Sequence, residues 1–129
     1  MKRFWKRSTS VRRVRLHAKW SRYLSNEQRV LNVALKKYKE LKYLKREFAL
    51  NPNVEDMNEY GFKPPVRKIT PQTVKEYLEG DKDLLDLELK ISVQEDKVDF
   101  LKTVLSEIRA IGYDIKNAIE DRAFKHGLR

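Results

Sequence analysis

The sequence predicts an all-α protein: a basic amino-terminal helix or helix pair, a long loop, and a long heptad-patterned carboxy-terminal helix. Helix-forming residues dominate from residue 11 to 48, without a glycine or proline. Glycine and prolines then occur within residues 51–69, and the apolar residues of the final third recur three and four positions apart. Together these three observations favour a helical bundle.

The first predicted helix begins after Ser10, because serine is a favoured N-cap residue, and residues 1–9 are left as a basic arm. Ser25 followed by Gln28 has the form of a capping box, so the segment is either one helix or two helices with a bend near Ser25. Asn51-Pro52 ends the region. The predicted core face consists of Trp20, Leu24, Leu31, Ala34, Tyr38 and Leu41.

The segment between the long helices is predicted to be mostly irregular. Residues 51–69 contain one glycine and three prolines and few periodic apolar residues, a composition typical of a loop. Thr70-Pro71 then has the pattern of an N-cap followed by proline at the first helical position. It predicts a short helix that ends at Gly80.

The clearest periodicity is an a/d heptad stripe that starts at Leu84 and runs for nearly six heptads. The stripe suits a helical bundle in a homo-oligomeric ring; an intramolecular bundle packed on residues 11–48 is the alternative, and both can hold. Gly112 costs about 1 kcal/mol in a helix relative to alanine and indicates a close neighbour or a kink. A second apolar row consists of Leu85, Phe100, Val104 and Ile111. The predicted oligomerisation residues are Leu101, Leu105, Ile108, Gly112, Ile115, Ile119 and Phe124.

The net charge of +10 is distributed very unevenly. Residues 1–48 contain 16 Lys and Arg against 3 Asp and Glu, whereas residues 49–80 carry −1 and residues 81–129 carry −2. A solvated surface normally mixes both signs, so this asymmetry predicts a polyanionic partner at one end of the chain. A merely soluble, charged surface is the alternative.

Basic residues recur every seven positions along the first predicted helix and form what we call the basic ridge: Arg15, Arg22, Arg29 and Lys36. Such a ridge follows a phosphate backbone without reading bases. Tyr43 and Trp5 are candidates for stacking on unpaired bases, although Tyr43 could instead pack on the loop and Trp5 contact a membrane interface. The predicted nucleic-acid-binding residues are Arg15, Lys19, Arg22, Arg29, Lys36, Lys39, Lys42, Tyr43, Lys45 and Arg46.

Several classes of protein are disfavoured by what the sequence lacks. It contains no cysteine, which excludes disulfides and zinc–thiolate sites. His17 and His126 are far apart in sequence, so neither a metal site nor a cofactor is predicted. The isolated glycines form no phosphate-binding loop and no catalytic constellation is visible, so we do not expect an enzyme. No apolar run is long enough to cross a membrane, and the basic start lacks the apolar segment of a secretory signal.

A series of short motifs in the carboxy-terminal half resembles the UvsY-type recombination mediator proteins of T-even-like bacteriophages. They are Asp81-Lys82-Asp83 with Leu85, then Leu105, Ile108-Arg109, Gly112-Tyr113, Ile115-Lys116, and Arg122-Ala123-Phe124 with Gly127. Upstream, Leu16 with Lys19-Trp20 is similar to a motif of the same family. The family's basic L-K-A-R segment corresponds best to residues 41–46. The chain departs from the family in its shorter, more basic start and in a longer loop at 51–69.

This resemblance implies a function that composition alone does not. Members load a RecA-like phage recombinase onto single-stranded DNA coated by the phage single-strand-binding protein, acting as a homo-oligomeric ring of six or seven subunits. It implies a location in the cytoplasm of the infected bacterial host and no contact with a membrane. We therefore divide this single domain into a basic nucleic-acid-binding region (1–50), a loop (51–69) and an oligomerisation region (70–129).

Two other functions share the same charge pattern. A phage structural or packaging protein would bind duplex nucleic acid and oligomerise. A peripheral membrane protein would use the basic arm and helix on anionic lipid. In the second case, the apolar residues of the basic helix would have to face the lipid, whereas they are needed for packing.

Overall fold

The computed structural model describes residues 2–125, with side chains from Val11 onward, so His126, Gly127 and the side chain of Trp5 lie outside the described part. All regular secondary structure in residues 2–125 is helical, which confirms the predicted all-α class. The helices are α1 (Lys2–Leu50), α2 (Val54–Glu59), α3 (Val74–Glu79) and α4 (Lys82–Lys125). No helix of the described residues is both long and apolar enough to cross a membrane.

Helix α1 is longer than predicted. It begins at Lys2 rather than after Ser10, so the expected separate arm is wrong for the described part of residues 1–9. It also runs through Ser25 without a break. Serine and asparagine cost well under 1 kcal/mol each inside a helix, less than the apolar contacts of a continuous packed face supply. A capping pattern therefore permits a helix end without requiring one.

The predicted loop at 51–69 contains the short helix α2, which the sequence analysis missed. The side chain of Asn53 accepts a hydrogen bond from the Asp56 N–H at 3.3 Å and caps its first turn. At the other end Gly61 has a φ of 71°. The Phe62 N–H donates to the Met57 carbonyl at 2.8 Å and the Gly61 N–H to the Asn58 carbonyl at 3.1 Å, which is a Schellman ending.

Helix α3 starts one turn later than Thr70-Pro71 predicts and ends at Gly80 as expected. Residues 71–73 form a turn instead, because the Thr73 and Val74 N–H groups both donate to the Thr70 carbonyl. Helix α4 follows almost directly. The Asp81 carboxylate accepts a hydrogen bond from the Leu84 N–H at 3.0 Å and so satisfies one free donor of the first turn.

The described chain divides into two compact units. Unit 1 comprises Met1–Arg29 and Asp96–Arg129, and unit 2 is the continuous stretch Val30–Glu95. Both units contain a part of α1 and a part of α4. The core of unit 2 is a cluster of Ala49, Val74, Leu78 and Leu84, with Tyr38, Leu41, Leu50, Ile69 and Tyr77 packed against it.

In unit 1 the heptad stripe of α4 supplies the buried residues. Val98, Leu101 and Leu105 are buried there, as is Gly112. The lateral contacts of unit 1 pair Glu27 with Lys97 and His17 with Arg109, so the two helical segments run antiparallel. This part of the stripe is therefore core of the chain itself, which is the intramolecular alternative raised by the sequence.

Candidate nucleic-acid interface

Three residues of the basic ridge lie on the exposed side of α1 in unit 1. Arg15, Arg22 and Arg29 are all exposed. A helix turns 100° per residue, so positions seven apart drift by only about 20° and stay on one side. The predicted core residues Trp20 and Leu24, by contrast, are half-buried. The geometry thus separates a packed side from a cationic side, as the spacing predicts.

Exposed cations also occur on the part of α1 that belongs to unit 2. Lys36, Lys39, Lys42 and Arg46 are exposed. Lys36 has a loose ion pair with Glu40 one turn later, at 3.9 Å, which in solvent contributes little. The Lys42 ammonium lies 5.8 Å from the centre of the Tyr38 ring. These side chains are held weakly and can approach a phosphate.

Lys45 does not lie on the exposed side, contrary to the sequence analysis. Its Nζ lies 2.8 Å from an Asp81 carboxylate oxygen and 2.7 Å from Asp83, and its side chain is only 10% exposed. It also sits 4.8 Å from the centre of the Phe62 ring. The reason is angular, because Lys45 follows Tyr43 by two residues, or about 200° of helix. Lys45 is a structural cation that fixes the start of α4 against α1.

The pKa values around this ion pair reflect the contacts. Partial burial lowers the pKa of Lys45, but the hydrogen bonds and attraction of Asp81 and Asp83 outweigh it and leave the pKa raised. The hydrogen bond from Lys45, and then its positive charge, lower the pKa of Asp83. Nearby, Tyr38 donates a short hydrogen bond to the Glu88 carboxylate. That bond, together with slight burial and the negative charge, raises the pKa of Tyr38.

Aromatic side chains accompany the cations in both units. In unit 2, Tyr43 is 66% exposed at the position that continues the ridge spacing. In unit 1, Lys19 is exposed and its ammonium lies 5.9 Å from the centre of the exposed Tyr23 ring, which in turn packs edge-on against Trp20. Tyr23 is not among the residues predicted from the sequence, although its spacing of four from Lys19 could have indicated the pairing.

The predicted oligomerisation residues fall into two groups. Leu101, Leu105 and Gly112 are buried within unit 1 and Ile108 is half-buried, so they are already covered by their own chain. Ile115, Ile119 and Phe124 are exposed. Of the second apolar row, Phe100 and Ile111 are exposed in unit 1 and Leu85 in unit 2, whereas Val104 is half-buried.

The described residues contain no group of three or more His, Cys, Asp or Glu side chains that could hold a metal ion. What the described chain does present is a row of exposed cations with exposed tyrosines on an all-helical frame. Such an arrangement is typical of proteins that bind nucleic acid through the phosphate backbone.

The fold and these residues place the chain in the class of basic, all-helical proteins of nucleic-acid-binding type. Comparison with family models then identifies the family: the one described as "Recombination, repair and ssDNA binding protein UvsY" matches residues 6–128. The chain belongs to this family, which confirms the resemblance found in its motifs. A search of the curated proteins gave no match, and neither did a search of the solved structures.

Proposed function

We propose that the chain binds single-stranded DNA through the exposed cations of α1 and acts as a recombination mediator without catalysis of its own. The observation that carries this proposal is the exposed row Arg15, Arg22 and Arg29 on unit 1. Membership of a recombination, repair and single-strand-binding family supports it. The mediator role consists of helping a RecA-like phage recombinase to load on strands coated by single-strand-binding protein.

The contacts favour binding that tolerates any sequence. Arginine and lysine on one side of a helix neutralise phosphates and release condensed counterions, a gain that does not depend on the bases. The exposed tyrosines Tyr23 and Tyr43 add stacking, which requires unpaired bases. The combination therefore favours single strands over duplex. Unit 2 has exposed cations of its own, whereas Lys45 is held in ion pairs there. The exposed cations are Lys36, Lys39, Lys42 and Arg46.

Assembly is the second part of the proposal. Exposed apolar side chains of α4 in unit 1, namely Phe100, Ile111, Ile115 and Ile119, supply the contact between subunits. Each subunit then contributes a modest strand contact, and the assembled ring makes successive contacts intramolecular. Leu101 and Leu105 support this surface from inside the chain rather than forming it.

The test of strand binding is competition between single-stranded and duplex DNA of equal length, with the mass of the assembly recorded in parallel. The native chain should prefer the single strand. Arg22→Gln with Arg29→Gln should weaken binding to all sequences and lower the salt slope by about 1.4, from about 0.7 per lost phosphate contact. Lys75→Gln with Lys90→Gln removes the same charge from exposed positions of unit 2 and should change neither quantity appreciably.

Two results would contradict the proposal. A preference for duplex would favour a packaging protein instead. Unchanged binding by the double arginine variant, with helicity retained, would mean that the strand lies elsewhere. The mediator role is tested by recombinase filament formation on coated single strands. The native chain should shorten the delay before filament growth, and the arginine variant should not.

The assembly test uses two adjacent residues of α4. Phe100 is 62% exposed and Leu101 is 5% exposed. Phe100→Asp should yield smaller assemblies in sedimentation with little loss of helicity, and should weaken binding to long strands more than to short ones. Leu101→Ala should lower the stability of the fold by about 3 kcal/mol and leave the assembly size unchanged below its unfolding transition. The reverse pattern would place the subunit contact at the heptad stripe.

A further inference from the structure

Unit 1 holds a second group of cations apart from the basic ridge, formed by the half-buried Arg13 of α1 and the exposed Arg109 of α4. The side chain of Arg13 lies across Gly112 of α4. A methyl group at Gly112 would lie 3.1 Å from Cζ and 3.3 Å from Cδ of Arg13, and closer still to its guanidinium nitrogen. Gly61 is the only glycine of the described residues with a positive φ. Gly112 therefore serves to leave room for the Arg13 side chain, not to permit an unusual backbone.

The neighbouring turn positions a second guanidinium. The Arg109 Nε–H donates to His17 Nε2 at 3.4 Å, and His17 Nδ1 lies 3.5 Å from the Ser21 hydroxyl. With Nε2 as the acceptor, the neutral ring carries its proton on Nδ1 and turns it toward the serine oxygen. His17 follows Arg13 by four residues, and Arg109 precedes Gly112 by three. Both arginines are thus held on adjacent turns of the same pair of helical segments.

Along α1 the surroundings of this group are strongly positive, whereas α4 also carries Glu107 and Asp114. The sequence has no acidic residue before Glu27, and Glu27 pairs with Lys97 at 3.1 Å. Along α4, Lys102, Arg109 and Lys116 are seven residues apart and all exposed. Two guanidinium groups on adjacent turns repel each other, and an anion that contacts both reverses the sign of that interaction. Paired guanidinium groups suit phosphate in particular, because each offers a planar fork of donors.

We infer that Arg13 and Arg109, positioned by Gly112 and His17, bind a backbone phosphate of the DNA strand as a second contact distinct from the basic ridge. The inference rests on the proposed function, since it names a further part of the same strand-binding surface. Arg13 and Arg109 are the binding residues, whereas Gly112 and His17 act through them. The strand is therefore held on both helical segments of unit 1 and not on α1 alone.

The first test removes both charges from the full chain. Arg13→Gln with Arg109→Gln should weaken binding to an oligothymidylate about tenfold or more and lower the salt slope by about 0.7, the value for one lost phosphate contact. Lys75→Gln with Lys90→Gln is the matched control and should bind like the native chain. Unchanged affinity and slope in the arginine variant would overturn the inference.

A second variant separates binding from folding. Gly112→Ala introduces a better helix former, and the flexible guanidinium of Arg13 can move aside to admit the methyl group. The variant should therefore have an equal or higher Tm and still bind the oligothymidylate several-fold more weakly, because Arg13 has lost its position. Equal or stronger binding by this stable variant would show that the placement of Arg13 is irrelevant to the strand.

A third measurement observes the site directly. The sequence has only two histidines, so the ring protons of His17 can be assigned in nuclear magnetic resonance spectra with a His17→Gln variant. The His17 signals should shift on addition of oligothymidylate and saturate together with binding. A shift with inorganic phosphate alone, and none with the oligonucleotide, would mean an adventitious ion only and would overturn the inference.

The two proposals fail in different ways. If the Arg22 and Arg29 variant loses affinity while the Arg13 and Arg109 variant does not, the proposed function stands and this second contact is wrong. If the Arg22 and Arg29 variant binds normally, the proposed binding surface on α1 fails, whatever the second variant does.

Discussion

The two compact units of the chain differ most in charge. Unit 1 has 17 basic residues against 7 acidic ones, which accounts for the entire net charge of +10, whereas unit 2 has 12 of each. Unit 2 uses charges of opposite sign to hold itself together, as Lys45 does with Asp81 and Asp83. Unit 1 keeps an excess of positive charge that its own carboxylates do not balance.

This difference predicts that unit 2 contributes most to the stability of the fold and that unit 1 contributes most to DNA binding. In unit 2, the core around Leu84 and Leu78 is combined with ion pairs and an aromatic group of Phe48, Tyr60 and Phe62. In unit 1, one stripe of α4 supplies the buried side chains, and mutual repulsion of the cations works against compactness. Substitutions in unit 2 should therefore mainly change stability, and substitutions in unit 1 should mainly change DNA binding.

The largest effect is expected from the core of unit 2. Leu84 is 2% exposed, and Leu84→Ala should lower the free energy of unfolding by about 3 kcal/mol through lost burial and the resulting cavity. Leu89, on the same helix, is 66% exposed, and Leu89→Ala should change it by less than about 0.5 kcal/mol. Denaturant titration measures both. Below its unfolding transition, the Leu84→Ala variant should bind DNA like the native chain. Weaker binding under those conditions would contradict the assignment of stability to unit 2 and of DNA binding to unit 1.

A smaller effect is expected from the ion pair that fixes α4. Lys45→Met should cost about 2 kcal/mol, because it leaves the partly buried Asp81 carboxylate without its cation. Lys42→Met removes an exposed lysine one turn earlier and should weaken strand binding with little effect on stability. Unfolding curves and DNA affinity for both variants sharpen the comparison. If Lys45→Met instead lost DNA affinity at unchanged stability, Lys45 would belong to the binding surface after all.

The smallest expected effect is the pH dependence of the stability difference between the native chain and the Lys45→Met variant. Because the pKa of Asp83 is lowered in the folded chain, its ion pair adds to the free energy of unfolding. This contribution is complete above about pH 4, the pKa in the unfolded chain, and is lost as the pH falls through the folded pKa. Because the pKa of Lys45 is raised in the folded chain, its contribution to the free energy of unfolding is complete below about pH 10.4 and is lost as the pH rises through the folded pKa. The stability difference between the native chain and Lys45→Met should thus be flat from about pH 5 to 9 and shrink outside it. A difference that changes steeply near pH 7 would contradict this assignment.

Much of the fold was predictable because helices leave periodic traces in sequence. The uninterrupted helix formers predicted α1, and the seven-residue spacing placed Arg15, Arg22 and Arg29 together on the exposed side. The ends were less predictable. Ser10 and Ser25 are good capping residues in isolation, but continuing the helix through them costs little, so α1 has neither end there.

The site was predicted less completely, because tertiary contacts determine which charged side chains are already paired within the chain. Lys45 is a basic residue among basic residues, and only its distance from Asp81, 36 positions later, shows that it is already paired. The heptad stripe likewise does not indicate whether its partner is the same chain or another. In the structure α1 covers Leu101 and Leu105, and the exposed side of α4 is where Phe100 lies. Periodicity identifies a face, and packing decides what covers it.

The discontinuity of unit 1 has a consequence for how the protein is made. The ribosome completes the basic part of α1 first, yet unit 1 also needs the segment from Asp96 onward, which is made only after all of unit 2. A nascent chain can therefore close the continuous, charge-neutral stretch Val30–Glu95 while its amino-terminal cations still lack the helical segment they pack on. Arg13 meets Gly112 only after translation has passed that glycine, so the complete cationic surface of unit 1 is a late product of synthesis.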